Sequence, residues 1–169
     1  TTNEAADHLN DFLLNLLPDT TEEVCLSADS VINESDHAAE YTTEFLNSLT
    51  ASGLPPHRLR LRRGALVILL RNYAPHKGLC NGTRLVAESM TRRLLTVRIV
   101  NGPNKGDIAQ LPRIVCDSSG DFGFPFVLRR LQFPVKLAWT ITINKSQGQS
   151  VSGRLGVLLP SPVFAHGQL

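Results

Sequence analysis

From Arg58 to Leu111 the chain is a run of short apolar stretches cut by turn residues, and no stretch there keeps a helical period. Leu59 and Leu61 alternate with arginines, Gly64 breaks the run, and Ala65 to Leu70 is continuously apolar, as suits a strand buried on both faces. Asn72 to Asn81 reads as a loop ending in Asn81-Gly82, a strong turn signal that returns the chain as a strand over Arg84 to Glu88. Leu94 to Val100 follows as a strand, Asn101-Gly102-Pro103 as a turn, and Ile108 to Leu111 as a short strand. Short strands with turns this close together predict a small β-barrel.

The flanks read differently. Thr1 and Glu4 have capping-box spacing, and Ala5, Leu9, Phe12, Leu13, Leu16 and Leu17 recur at helical period until Pro18. An amphipathic helix facing the core with those residues is expected. Val24 to Leu26 is a candidate strand, Ser27 to Asp36 a loop, and Ala38 to Leu49 a second helix packing through Ala39, Phe45, Leu46 and Leu49. Beyond the β-rich centre, Phe124 to Leu131 reads as a connector and Leu137 to Ile141 as a strand. Asn144 to Gln147 then reads as a turn closed by Gly148, and Leu155 to Leu159 as a buried strand. Ser161-Pro162 has the form of a helix start. The whole is of α/β class.

Composition matters mainly through its polarity. The first 57 residues hold eleven acids and no lysine or arginine, whereas all 17 cations lie from Arg58 onward against four acids, so the net +2 conceals two opposed segments. An acidic face toward solvent or a partner, and a basic region suited to a phosphate backbone, are expected. Arg60, Arg62, Arg63 and Arg71 either line such a path or only keep the β domain soluble. Cys25, Cys80 and Cys116 are too scattered for a disulfide framework or a zinc spacing, and the five histidines show no ligand pattern. No metal is assigned. Neither an apolar run long enough to span a membrane nor a leader is seen, so an intracellular protein without membrane contact is expected.

The segment from Leu137 to Ser150, LAWTITINKSQGQS, concentrates hydroxyls, amides, a lysine and a glycine in one turn between apolar runs. Donors of this kind fix phosphates and sugars. Residues alone leave the blander reading open, a half strand followed by a surface turn. With its approach from Phe124, however, the segment resembles the stretch leading into the fifth motif of the Pif-one-type DNA helicases of superfamily one, in the branch that includes Helitron helicases. Leu54 to Leu85 resembles the start of that branch's small inserted β domain, and the opening residues resemble the loop and helix after the fourth motif. The resemblance is weakest between Thr20 and Thr50.

This resemblance implies a partial RecA-like motor domain of the P-loop NTPase type carrying an inserted Src-homology-3-like (SH3-like) β-barrel. Residues 1–50 and 124–169 would be the two parts of the second motor domain, and 51–123 the insertion. It further implies that Thr142 and Asn144 face single-stranded DNA with Lys145 and Ser146 on its backbone, and that Thr2 and Asn3 belong to a DNA-side loop. Gly148, Gln149 and Ser150 would border the nucleotide. Two positions depart from relatives: Asn144 stands where histidine is common, and Ser150 where other branches carry an acid. The implied activity is ATP-dependent 5'–3' unwinding in repair, recombination, telomere maintenance or transposition, with a nuclear address expected and a mitochondrial one as the alternative.

No G-x-x-x-x-G-K-[ST] loop occurs in the sequence, so the groups that cradle ATP phosphates and Mg2+ are expected in a first motor domain elsewhere in the polypeptide. The arginine-finger motif is expected beyond Leu169. No catalytic residue is assigned, and the chain by itself is expected to be inactive as an ATPase. Two other classes stay open on sequence grounds: a passive single-strand or RNA-binding module, although only 6% of residues are aromatic, and an inactive transposon-derived remnant.

Overall fold

The computed structural model describes residues 3–18, 21–32, 41–118, 123–142 and 156–158. In chain order its elements are α1 (Asn3–Asn15), β1 (Glu23–Leu26), β2 (Ala28–Ile32), α2 (Thr43–Ser48), β3 (Arg58–Leu61), β4 (Leu66–Leu69), β5 (Arg84–Met90), β6 (Leu94–Ile99), β7 (Ile108–Pro112), β8 (Ile114–Asp117), β9 (Val127–Gln132) and β10 (Val135–Leu137). The fold is mixed α/β. Three antiparallel sheets order the strands: β10-β4-β5-β6-β7, β2-β9-β8, and the pair β1-β3.

The five-stranded sheet follows the alternation in its sequence. Val67, Leu69, Leu85, Leu95, Val97 and Leu111 are fully buried on its inner face, joined by Phe133 and Val135. Strand β4 is covered on both faces, as its unbroken apolar run predicts, with Ile68 8% exposed on the outer side. At the Asn81-Gly82 turn Gly82 takes φ 89°, a left-handed conformation that glycine adopts without a Cβ clash. The loop before it holds one 3-10 turn, Pro75–Lys77.

Three strand readings need correction. β2 occupies Ala28–Ile32, inside the expected loop, and β9 occupies Val127–Gln132, inside the expected connector; β8 lies where no strand was expected. For β2 and β9 the cause is shared. The inward residues of β9 are Leu128, Arg130 and Gln132, and the β2 residue opposite Arg130 is Asp29, so the buried face is largely polar and shows no apolar alternation. The strand expected over Leu137–Ile141 lies earlier, at Val135–Leu137, because it pairs with β4 and leaves the sheet after the Ala138 N–H donates to Leu66 O at 3.0 Å.

The helices are also shifted. α1 buries Ala6, Asn10 and Leu14, while Phe12 and Leu16 are 59% and 64% exposed. Asn10 sets that orientation. Its Oδ1 accepts the Thr140 N–H at 2.9 Å, its Nδ2 donates to Thr140 O at 3.0 Å, and Thr140 Oγ1 donates to Ala6 O at 2.8 Å. A periodicity drawn from apolar residues cannot weigh a buried amide. α2 is shorter than the expected Ala38–Leu49 and starts where Thr42 Oγ1 accepts the Phe45 N–H, a normal cap; Ala38 and Ala39 lie outside the described residues. A second core gathers Leu46, Ala51, Leu54, Cys116, Phe126 and Leu128, with Tyr41, Phe45 and Phe124 packed on it. Gly156–Leu158 form no strand and Val157 and Leu158 are exposed, so the buried strand expected there is not found among the described residues. Thr1, the Asn144–Gln147 turn and Ser161-Pro162 lie outside them.

Among the described residues no helix is long and apolar enough to cross a membrane, and no cluster of His, Cys, Asp or Glu is fit to hold a metal ion. All three cysteines are free. Burial holds the Cys116 thiol above its ordinary value.

Candidate nucleic-acid interface

Antiparallel register places Lys136 opposite Ile68, and Ile68 opposite Arg84, so β10, β4 and β5 carry one outer-face row of cation, aliphatic, cation. That row opens into a groove of about 1330 Å³. Arg71, Asn81-Gly82 and Asn101-Gly102 border it at the turns, and the first turns of α1 border it elsewhere. A wall without helix or strand, every residue from Leu49 to His57, completes it together with the start of β3. Arg58 and Arg84 have no ion-pair partner among the described residues, and no Phe, Tyr or Trp side chain is among those lining the groove. Its described lining is of cations, amides and backbone groups, with the carboxylates Asp7 and Asp11 on the α1 side, and the cations and amides suit phosphates and sugars rather than base stacking.

The opposed charge segments of the sequence partly neutralise each other. Arg60 forks onto Glu22 at 2.8 and 2.9 Å and reaches Asp11 at 3.5 Å, and Arg62 also bonds Glu22. The Arg60 hydrogen bond is the main cause holding the Glu22 carboxyl below its usual value, and the same bond raises the Arg60 guanidinium. Arg129 likewise lowers Asp117. Of the four arginines singled out in the sequence, Arg60 and Arg71 line the groove, the latter with Nη2 donating to Asp117 O at 2.9 Å. Arg62 and Arg63 line a smaller hollow of about 400 Å³ elsewhere.

Behind the wall sits a buried polar cluster. Arg130, 1% exposed, forks onto the fully buried Asp29, with Nε to Oδ1 at 2.9 Å and Nη2 to Oδ2 at 2.6 Å. Ser27 Oγ donates to Asp29 Oδ1 at 2.7 Å and lies 2.8 Å from His57 Nδ1. Its one proton is thereby used, so His57 Nδ1–H is the donor in the second contact. Burial lowers the His57 imidazole below its ordinary 6.5; Asp29 opposes this and Arg130 reinforces it. Asn47 Oδ1, at the margin of the groove, is buried without a hydrogen-bond partner.

Of the residues named from sequence, Asn3 is exposed at the start of α1 and lines the groove, and Thr142 is half-buried just after Ile141, which also lines it. The Thr140 bonds to α1 bring these two chain segments beside one groove. Thr2, Asn144, Lys145, Ser146, Gly148, Gln149 and Ser150 lie outside the described residues. Sequence reasoning missed Lys136, Arg84 and the wall. Arg84 carries a signal, since it opens a strand expected from the sequence, whereas Lys136 lies before the strand expected over Leu137–Ile141. In the wall, Ser52-Gly53 and Pro55-Pro56 mark a loop, but nothing in them shows which groove it would border.

Residues 44–89 match the family model described as DNA helicase Pif1, 2B domain. The chain is 36% identical over 140 residues to the ATP-dependent DNA helicase PIF1 of Mus musculus, covering 79% of this chain and 20% of that protein, and 33% identical over 137 residues to that of Homo sapiens, covering 78% and 20%. It thus spans about a fifth of the length of these curated relatives. Among solved structures, the Pif1 helicase of Candida albicans superimposes with a TM-score of 0.63 at 24% identity, over 90% of this chain and 36% of that one. Bacteroides Pif1 bound to single-stranded DNA gives 0.59 at 22%, over 89% and 32%. By sequence, with the same fold beneath it, the chain belongs to the Pif1-type DNA helicases.

Proposed function

We propose that this chain is the part of an ATP-dependent DNA helicase that grips single-stranded DNA, and that the strand runs through the groove over Lys136, Ile68 and Arg84. The single observation that carries this is the row itself: three strands converge to set two cations on either side of an aliphatic residue, open to a long groove. Residues 51–123 act as the inserted SH3-like β domain, with β10 from the returning segment completing its sheet. Residues 1–50 and 124–169 are assigned to the second RecA-like domain, whose Asn3 and Thr142 edges meet the same strand. The Helitron-like branch and 5'–3' polarity rest on the sequence resemblance alone.

ATP and Mg2+ are the cofactors this reading implies for the whole helicase. Gly148, Gln149 and Ser150, the residues assigned to the nucleotide side, lie outside the described residues. What the chain's own groups do is bind. Among the described residues no Phe, Tyr or Trp lines the groove, which separates it from a passive module that holds bases by stacking.

The test is fluorescence anisotropy of a labelled oligo-dT titrated at several salt concentrations. Each phosphate contact on a single strand contributes about 0.7 to the slope of log affinity against log salt. Lys136→Ala with Arg84→Ala should lower the slope by about 1.4 and weaken binding at low salt. An unchanged slope with unchanged affinity would remove the row from the DNA path.

A further inference from the structure

We infer that Arg130 is a positioning residue for the groove, setting the Leu49–His57 wall in the form a strand meets while touching no strand itself; this rests on the groove being the single-strand path. A buried ion pair is a weak reason for stability, since an apolar pair of similar volume often serves as well. Arg130 does more than pair with Asp29. Nη1 donates to Pro55 O at 3.1 Å, and Nη2 reaches Leu46 O and Leu49 O, both at 3.3 Å. These carbonyls sit at the end of α2 and at the two ends of the wall. Two residues along the same face of β9, Gln132 Nε2 donates to Cys25 O at 3.0 Å and to His57 O at 3.1 Å. One inward face of one strand therefore holds, by side-chain donors, a segment with no strand or helix ladder of its own.

Only a guanidinium fits this task. Its planar fork saturates both Asp29 oxygens and still aims N–H groups at carbonyls on the far side. A lysine would place one point charge beside Asp29 and leave the wall carbonyls without donors. Asp29, in turn, fixes the fork's orientation, and Ser27 fixes Asp29.

The experiment is the double substitution Arg130→Met with Asp29→Leu in this chain, read by melting temperature, oligo-dT affinity, salt slope and amide hydrogen exchange. The expected result is a melting temperature within about 5 °C of the parent, affinity lower by on the order of tenfold, and an unchanged salt slope. Faster exchange should be confined to residues 49–57. An unchanged slope distinguishes positioning from phosphate contact, and confined exchange distinguishes it from general loosening. Arg130→Lys should fail to restore affinity. A double variant that binds as tightly as the parent, or an Arg130→Lys variant that does so, overturns the inference while leaving the groove intact. Should the double variant not fold, exchange in the parent decides: oligo-dT must slow exchange across 49–57, and no change there overturns the inference. A parent that binds no oligonucleotide overturns the groove reading and this inference together, whereas a parent whose slope depends on Lys136 and Arg84 keeps the first and isolates the second.

Discussion

The five-stranded sheet and the three-stranded sheet are built from strands of similar length, yet the first is held by apolar packing and the second adds a buried polar cluster to a smaller apolar core. Inside the first, Val67, Leu69, Leu85, Leu95 and Val97 pack together in one apolar cluster. Inside the second, Leu128 shares its face with Arg130 and Gln132, each of which holds backbone carbonyls of neighbouring segments. Packing is non-directional and tolerates small shifts, whereas a forked guanidinium specifies where each partner must be. The first sheet presents a surface; the second fixes the shape of the groove that the surface lines.

Removing one partner of the buried pair should be the most damaging single change. Asp29→Ala leaves Arg130 charged and unpaired in the interior and is expected to cost about 3–5 kcal/mol, seen as a fall in the urea midpoint. Adding Arg130→Met to that variant should recover most of the loss. If it does not, the three-stranded sheet depends on the charge itself and the contrast between the sheets fails. The matching change in the other sheet, Leu69→Ala, leaves a cavity between β4 and its neighbours and should cost about 2–5 kcal/mol. No second substitution at a charged position should rescue it.

The same contrast explains what could be read in the sequence. Ala65–Leu70, Arg84–Glu88, Leu94–Val100 and Ile108–Leu111 all became strands within a residue or two of their expected ends, because each buries apolar residues on its inner face, even though Leu94 and Ile108 at strand starts are exposed. β2 and β9 break that rule at Asp29, Arg130 and Gln132, and both were hidden. α1 was legible as a helix but not in its facing, since Asn10 and not Leu16 is buried. For the site, Arg84 was readable as a cation on its expected strand, whereas Lys136 lay just before the strand expected over Leu137–Ile141, and that the two share a row depends on the register of β4 between β10 and β5, which no local pattern encodes. The family resemblance reached the polar turn after Thr142, and periodicity did not.

The smallest expected effect lies where the two regions meet, at His57, which lines the groove and touches the polar cluster. Its folded-state value is lowered from 6.5, so the unfolded chain takes up the proton first as pH falls. The neutral imidazole therefore contributes stability that is fully present above 6.5 and is lost as pH drops through the lower folded value. Facing His57 are Asp29, which opposes the shift, and Arg130, which adds to it, with Ser27 accepting the Nδ1 proton. His57→Gln keeps a donor for Ser27 and removes the titration, so its stability should be flat over that interval while the parent declines. Urea midpoints measured from pH 7.5 down to 5.5 check this, the interval sitting above the range in which Glu22, lowered from 4.5, begins to protonate. Parallel curves for the two proteins would mean that burial of the ring is not felt as a proton-linked cost, and that the polar cluster behind the wall is more open to water than its bonds imply.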